Sequence, residues 1–268
     1  MAHKKYQDLD LTDAFLFASA MEDPETCQIV LELILGRSIG PVQVQVERSF
    51  LFSKDYRYVR FDVFAKDTTE VSYDVEMQNS HKEELPKRAR YHQAEMDAVC
   101  LQPGQDFTDL PDCFVVFICS FDPFSSQLYR YTYEEICRET GEALGDRTCK
   151  IFLSTKGTNE ADVPRELVDF LKYVEDSTDS CAAKTKNVQI KRLNQKLTSL
   201  KKSRRLEERY MTLQEMLDDQ RAEGKAEGSQ RILSLVARML QDGLSEDIAR
   251  LNTDEPFLRS MLEKYHIE

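Results

Sequence analysis

The stretch that most constrains the fold of this chain runs from Tyr58 to Gln78, where two alternating runs flank a short polar link. In the first run Val59, Phe61, Val63 and Ala65 share one face, and Arg60, Asp62 and Phe64 share the other. In the second, Val71, Tyr73, Val75 and Met77 form the apolar set and leave Ser72, Asp74, Glu76 and Gln78 opposite. Period-two alternation predicts strands. The link Lys66-Asp67-Thr68-Thr69 is polar and short, which predicts an antiparallel hairpin.

Register decides what the charged face can do. A three-residue loop with Lys66 opposite Glu70 puts Asp62 opposite Asp74, and Glu76 then lies one diagonal step away, about 7–8 Å, on the same face. A loop of two or four residues would instead set Asp62 opposite Tyr73, on the other face. Carboxylates gathered on one half-exposed face repel one another, and a hard divalent ion taken up through oxygen ligands relieves the repulsion. Mg²⁺ is the natural candidate. Periodicity alone describes an ordinary solvated sheet face equally well, and such faces are the commoner outcome.

Around these residues the sequence resembles the PD-(D/E)XK nuclease family transposases, the group that includes the recombination-promoting nucleases. The resemblance rests on Arg60-Phe61-Asp62-Val63, Asp74-Val75-Glu76-Met77-Gln78 and Leu85-Pro86-Lys87-Arg88-Ala89-Arg90-Tyr91. It continues through Ile118–Phe124, Lys150–Gly157 and Tyr210–Leu213, so it covers nearly the whole chain. It implies an α/β fold, with a restriction-endonuclease-like mixed sheet flanked by helices and a helical C-terminal extension. It further implies a metal-dependent DNA endonuclease, hydrolysing phosphodiester bonds in recombination, transposition or defence against foreign DNA. In that pattern Asp62 and Glu76 hold Mg²⁺ (or Mn²⁺) with the main-chain carbonyl of Met77. Lys82, Lys87, Arg88 and Arg90 cluster at the start of the next helix beside the carboxylate face, which reads as a phosphate-docking patch or as an ordinary solvated face, and the matching Arg88-x-Arg90-Tyr91 run favours docking.

Two positions depart from the family signature. Gln78 stands where it has lysine, and Phe61 rather than proline precedes Asp62. Glutamine can orient a water but supplies no positive charge, so the expectation is either a slower enzyme or a replacement cation from Lys82, Lys87, Arg88 or Arg90. The alternative is a catalytically weak or inactive protein of the same fold, acting as an interaction or DNA-binding module. An acidic residue of the leading helices often adds a ligand in this superfamily. Asp13 and Glu32 are both candidates, although each also reads as a plain surface carboxylate.

Charge and thiols bound the remaining classes. Lys+Arg 36 against Asp+Glu 48 gives a net charge of −12, which argues against non-specific coating of nucleic acid and confines any DNA contact to a local basic patch. The seven cysteines never occur as Cys-x-x-Cys, which predicts reduced thiols in a cytoplasmic protein rather than a disulfide framework or zinc site. The four histidines show no ligand pairing along the sequence. No apolar run approaches the roughly 18 residues of a membrane span, and none follows the charged N-terminus as a signal segment.

In chain order, residues 8–36 predict two helices, with Asp23-Pro24 opening the second and Gly36 ending it. Val42, Val44 and Val46 predict a strand before the hairpin. Pro86 opens a helix to about Leu101, and Cys113–Cys119 and Cys149–Leu153 read as buried strands. Between them lies an aromatic loop containing Phe121, Phe124, Tyr129, Tyr131 and Tyr133. Its rings could stack on bases but more often pack internally at this density. Pro164–Glu175 completes a domain over 8–176. The C-terminal region, 177–268, is read as helical. Its segment 184–209 carries ten lysines and arginines against two glutamates, and apolar residues at helical spacing predict a basic amphipathic helix that lies on DNA or docks on the acidic remainder. Gly224 and Gly228 predict a hinge, and the terminal helices beyond it a homo-oligomer or partner contact.

Overall fold

The computed structural model describes residues 4–49, 60–81, 83–252 and 254–267. Its centre is a six-stranded mixed sheet in the order β1-β2-β3-β4-β6-β5. The strands are β1 (Val42–Ser49), β2 (Arg60–Asp67), β3 (Ser72–Gln78), β4 (Cys113–Cys119), β5 (Arg130–Tyr133) and β6 (Thr148–Ser154). β1, β2 and β3 pair antiparallel in succession, β3, β4 and β6 are parallel, and β5 closes the far edge antiparallel to β6. A parallel neighbour needs a crossover. Helix α3 (Leu85–Cys100) provides it between β3 and β4.

The hairpin keeps the expected three-residue loop but moves it by one residue. Lys66 pairs with Ser72 and Val63 with Val75, and the Asp67 and Val71 backbones bond at 3.0 Å around the loop Thr68-Thr69-Glu70. Asp67 sets this frame. Its carboxylate accepts from the Thr69 amide at 2.8 Å, the Val71 amide at 3.1 Å and the Tyr73 hydroxyl at 2.8 Å. Glu70 takes the left-handed position (φ 68°) that such a loop requires. A shift of one residue on each strand leaves every side chain on its face and changes only its partner. Phe64 therefore faces Asp74, and the same register continued by two residues sets Asp62 opposite Glu76.

Both faces of the sheet are covered. Val63, Ala65, Tyr73, Val75, Val116, Ile118, Ile151 and Leu153 are all fully buried on one face. α1 (Ala14–Met21) and α2 (Pro24–Leu35) pack against β1, and α1 reaches β2 as well. α3 lies on the other face, where Leu85, Ala89 and Met96 join Phe64, Val115, Phe117 and Phe152 in one core. The expected half-exposed charged face is thus an interior one, because the crossover helix lies over it.

The aromatic segment before β6 is a strand rather than only a loop. Tyr131 and Tyr133 of β5 surround Phe124 and Phe152, with Phe124–Tyr131 at 4.9 Å and Phe124–Phe152 at 5.1 Å between ring centroids. These rings are packing residues.

After α4 (Arg165–Glu175) the chain forms α5 (Asp179–Lys184), α6 (Val188–Lys201) and the long α7 (Arg204–Gln241). The basic stretch is divided among these helices, and Asn187 caps α6 through the amides of Gln189 and Ile190. Ile190, Leu193 and Leu197 of α6 are buried, and Lys196 reaches Asp23 at 2.8 Å and Glu25 at 2.6 Å beside α2. The chain separates into two compact units, 1–204 and 205–268. α5 and α6, which follow the shift in composition, belong to the first. In the second, α7 runs without interruption through Gly224 and Gly228. Leu235 and Met239 of α7 pack with Leu251, and a last helix, α8 (Glu255–Lys264), adds Phe257, Leu258, Met261 and Leu262 to the cluster. Among the described residues no helix is long and apolar enough to cross a membrane.

Candidate active site

Strand alternation places Asp74, Glu76 and Gln78 on the β3 face that meets α3, and the hairpin brings Asp62 of β2 to the same place. The β2–β3 ladder runs as far as Val63–Val75, and the two carboxylates take over from there. Asp62 donates its amide to Glu76 Oε1 at 2.9 Å, and Met77 donates its amide to Asp62 Oδ2 at 3.2 Å. The acids thus bridge the two strands where the ladder stops.

α3 supplies the other half. Arg88 and His92 stand four residues apart, on one face of the helix. Both look onto the carboxylates. Arg88 Nη1 donates to Gln78 Oε1 at 2.9 Å and Nη2 to Glu76 Oε2 at 3.3 Å, with the guanidinium 5.5 Å from the Phe117 ring centre. His92 Nδ1 lies 2.8 Å from Asp74 Oδ2 and 3.8 Å from Glu76 Oε1. Asp74 is 0%, Glu76 1% and His92 4% exposed.

Burial on this scale changes the acid–base properties of all three. Loss of water raises the pKa of Asp74 well above the usual carboxylate range, and the negative charge of Asp62 raises it further. Glu76 is raised for the same reasons, by burial first and then by Asp74 and Asp62. Burial lowers His92, against the opposing pull of Glu76, and so favours the neutral ring. Three carboxylates therefore share a space into which Arg88 brings a permanent positive charge. Asp74 Oδ1 is buried and has no hydrogen-bond partner among the described residues. Asp74, Glu76 and His92 each offer a ligand atom, all within 4.8 Å of one another, so the trio can hold a metal ion. An unsatisfied oxygen and two carboxyl groups beside an imidazole together fit a divalent cation.

The other expected residues are distributed differently. Lys87 and Arg90 are exposed and Tyr91 is more than one-third exposed, at positions on α3 other than the buried stripe that carries His92. Lys82 lies outside the described residues. Asp13 caps α1, accepting from the amides of Phe15 at 3.0 Å and Leu16 at 3.2 Å. Glu32 accepts from the Ile39 amide at 3.1 Å and from Gln189 Nε2 at 2.5 Å. Neither belongs to the trio.

His92 and the depth of Asp74 were not legible in the chain as ligands. The absence of histidine pairing along the sequence does not hold in space, because the pairing is made across elements. One signal was present. His92 sits in the stripe Leu85-Ala89-His92-Met96, whose other members are apolar and inward-facing, and a histidine in such a stripe needs a buried partner.

No curated protein and no solved structure matches the chain. The family model described as PD-(D/E)XK nuclease family transposase matches residues 31–226 of the 268, a span that includes β1–β6, α3 and every residue of the cluster. On that match the chain belongs to the PD-(D/E)XK nuclease family transposases.

Proposed function

We propose that the chain is a metal-dependent DNA endonuclease that hydrolyses phosphodiester bonds in recombination, transposition or defence against foreign DNA. The observation that carries this reading is the convergence of Asp62 and Glu76 at the end of the β2–β3 ladder, beside a third, fully buried carboxylate. Asp62 and Glu76 would hold Mg²⁺ or Mn²⁺, with the Met77 carbonyl as a further ligand. A divalent ion in that position lowers the pKa of a water and polarises a phosphate.

The protein's own residues do the rest. Gln78 Oε1 accepts from Arg88, which leaves its amide NH₂, 3.5 Å from Glu76 Oε2, as the group that can orient a water or phosphate oxygen. Arg88 supplies a permanent positive charge at the place where the family signature has lysine. Neither group accepts a proton at neutral pH, so the proton lost by the attacking water passes to a carboxylate or to solvent. Lys87, Arg90 and Tyr91, exposed on the same helix, dock the phosphates of the duplex.

Supercoiled plasmid DNA tests the reading directly. Nicking or linearisation is expected with Mg²⁺ or Mn²⁺, and none with EDTA or in Asp62→Ala and Glu76→Ala. Cleavage that survives both substitutions would sink the assignment. Absence of cleavage under every condition would favour a non-catalytic interaction module on the same fold.

A further inference from the structure

The trio Asp74, Glu76 and His92 differs from the all-oxygen set in one donor, the imidazole. Donors held about 2.0–2.2 Å from one ion stand roughly 3–4 Å apart. His92 Nδ1 lies 3.8 Å from Glu76 Oε1, inside that interval, and 2.8 Å from Asp74 Oδ2, a hydrogen bond just short of it that a shared ion would replace. Asp74 Oδ1, buried without a partner among the described residues, is an independent sign of an acceptor left open at this seat. Arg88 does not fill the gap, because its guanidinium bonds to Gln78 and Glu76 instead.

Two properties of the trio discriminate between divalent ions. Imidazole nitrogen suits first-row transition ions better than Mg²⁺, and Mn²⁺, the weakest binder of that series, is also the one that accepts a carboxylate-rich set. The seat is also dry, with its three residues at most 4% exposed, whereas Mg²⁺ gives up its water shell reluctantly and usually keeps several waters. We infer that His92, with Asp74 and Glu76, makes this chain select a first-row transition ion such as Mn²⁺ over Mg²⁺. The inference rests on the metal-dependent reading above and narrows it. His92 is a specificity-determining residue, and Asp74 replaces the leading-helix carboxylates as the third acid.

The full-length chain titrated calorimetrically with MnCl₂ and with MgCl₂ tests this, together with electron spin-echo modulation of the Mn²⁺-loaded protein. Expected are Mn²⁺ binding about tenfold or more tighter than Mg²⁺ and a ¹⁴N coupling from a directly coordinated imidazole. In His92→Gln, checked for folding by circular dichroism, Mn²⁺ affinity should fall about tenfold with little change for Mg²⁺, and the ¹⁴N signal should vanish. The spin-echo measurement on the unsubstituted chain decides the matter even if the variant does not fold. Binding of both ions without a ¹⁴N signal, or an unchanged Mn²⁺/Mg²⁺ ratio in a folded His92→Gln, would overturn the selectivity and leave an Asp62–Glu76 site standing. Binding of neither ion would overturn both readings.

Discussion

Gln78 and Arg88 form one hydrogen-bonded pair across strand and helix. The amide at 78 has no charge, yet the guanidinium at 88 lies on both Gln78 and Glu76. Arg88→Ala should therefore lower cleavage by about 10–100-fold, the usual cost of removing a group that orients a metal ligand. Adding Gln78→Lys to that variant should recover part of the loss, because it returns a cation to the same place. No recovery in single-turnover plasmid assays would count against charge replacement. A second prediction concerns Asp74 and Glu76. Burial raises both folded-state pKa values, so the folded chain binds protons more tightly than the unfolded chain. Their contribution to stability is present below the unfolded value, about 4, and is lost as pH rises toward the raised folded values. His92, lowered in the fold, acts in the opposite sense below its unfolded value of about 6.5. In EDTA, Asp74→Asn should be more stable than the native sequence above that pH, and a saturating divalent ion should reverse the order. Thermal melts at pH 5 and pH 8, with and without metal, read the difference.

At the scale of elements, the β2–β3 hairpin determines which acids meet. Alternation along each strand assigns every side chain to a face, so two frames that differ by one residue on each strand are equal by that criterion. The choice falls to Asp67, whose carboxylate gathers the loop amides and the Tyr73 hydroxyl. Although burial opposes its ionisation, these hydrogen bonds hold its pKa below the usual range. A lowered value gives stability that is present above the unfolded pKa and is lost as pH falls through the folded one. Asp67→Ala should destabilise the chain by about 1–3 kcal/mol in urea denaturation at pH 7, with a smaller difference at an acid pH below the unfolded value of about 4. An equal loss at both pH values would deny the carboxylate this role. α6 makes the related point for charge. Its basic residues Lys196 and Arg192 engage Asp23 and Glu25, so its positive charge is partly neutralised inside the first compact unit.

For the whole molecule, a net charge of −12 and a buried acidic centre mean that the proposed DNA substrate would have to be drawn in by few cations against a repulsive background. Lys87 and Arg90, exposed on the helix that carries Arg88 and His92, are the best placed of those described near the site. Removing one cation from a DNA phosphate should flatten the dependence of log affinity on log salt by about 0.9. Lys87→Ala combined with Arg90→Ala should thus lower the slope by about 2 in anisotropy titrations. An unchanged slope would place the DNA-binding surface elsewhere.

Composition and periodicity by themselves determined a great deal. The alternating hairpin, the buried runs 113–119 and 149–153, the helix after Pro86 and the separation of Asp62, Asp74 and Glu76 from the apolar face all follow from local rules of spacing and capping. Such rules act within a segment and do not say what lies on top of it. Only the tertiary structure decided that α3 covers the acidic face, which turns solvated carboxylates into buried ones and brings His92 to within 2.8 Å of Asp74. The reason is that water's absence is a property of neighbouring elements. Desolvation, which moves the pKa values and leaves Asp74 Oδ1 without a partner, appears when the helix and sheet close on each other.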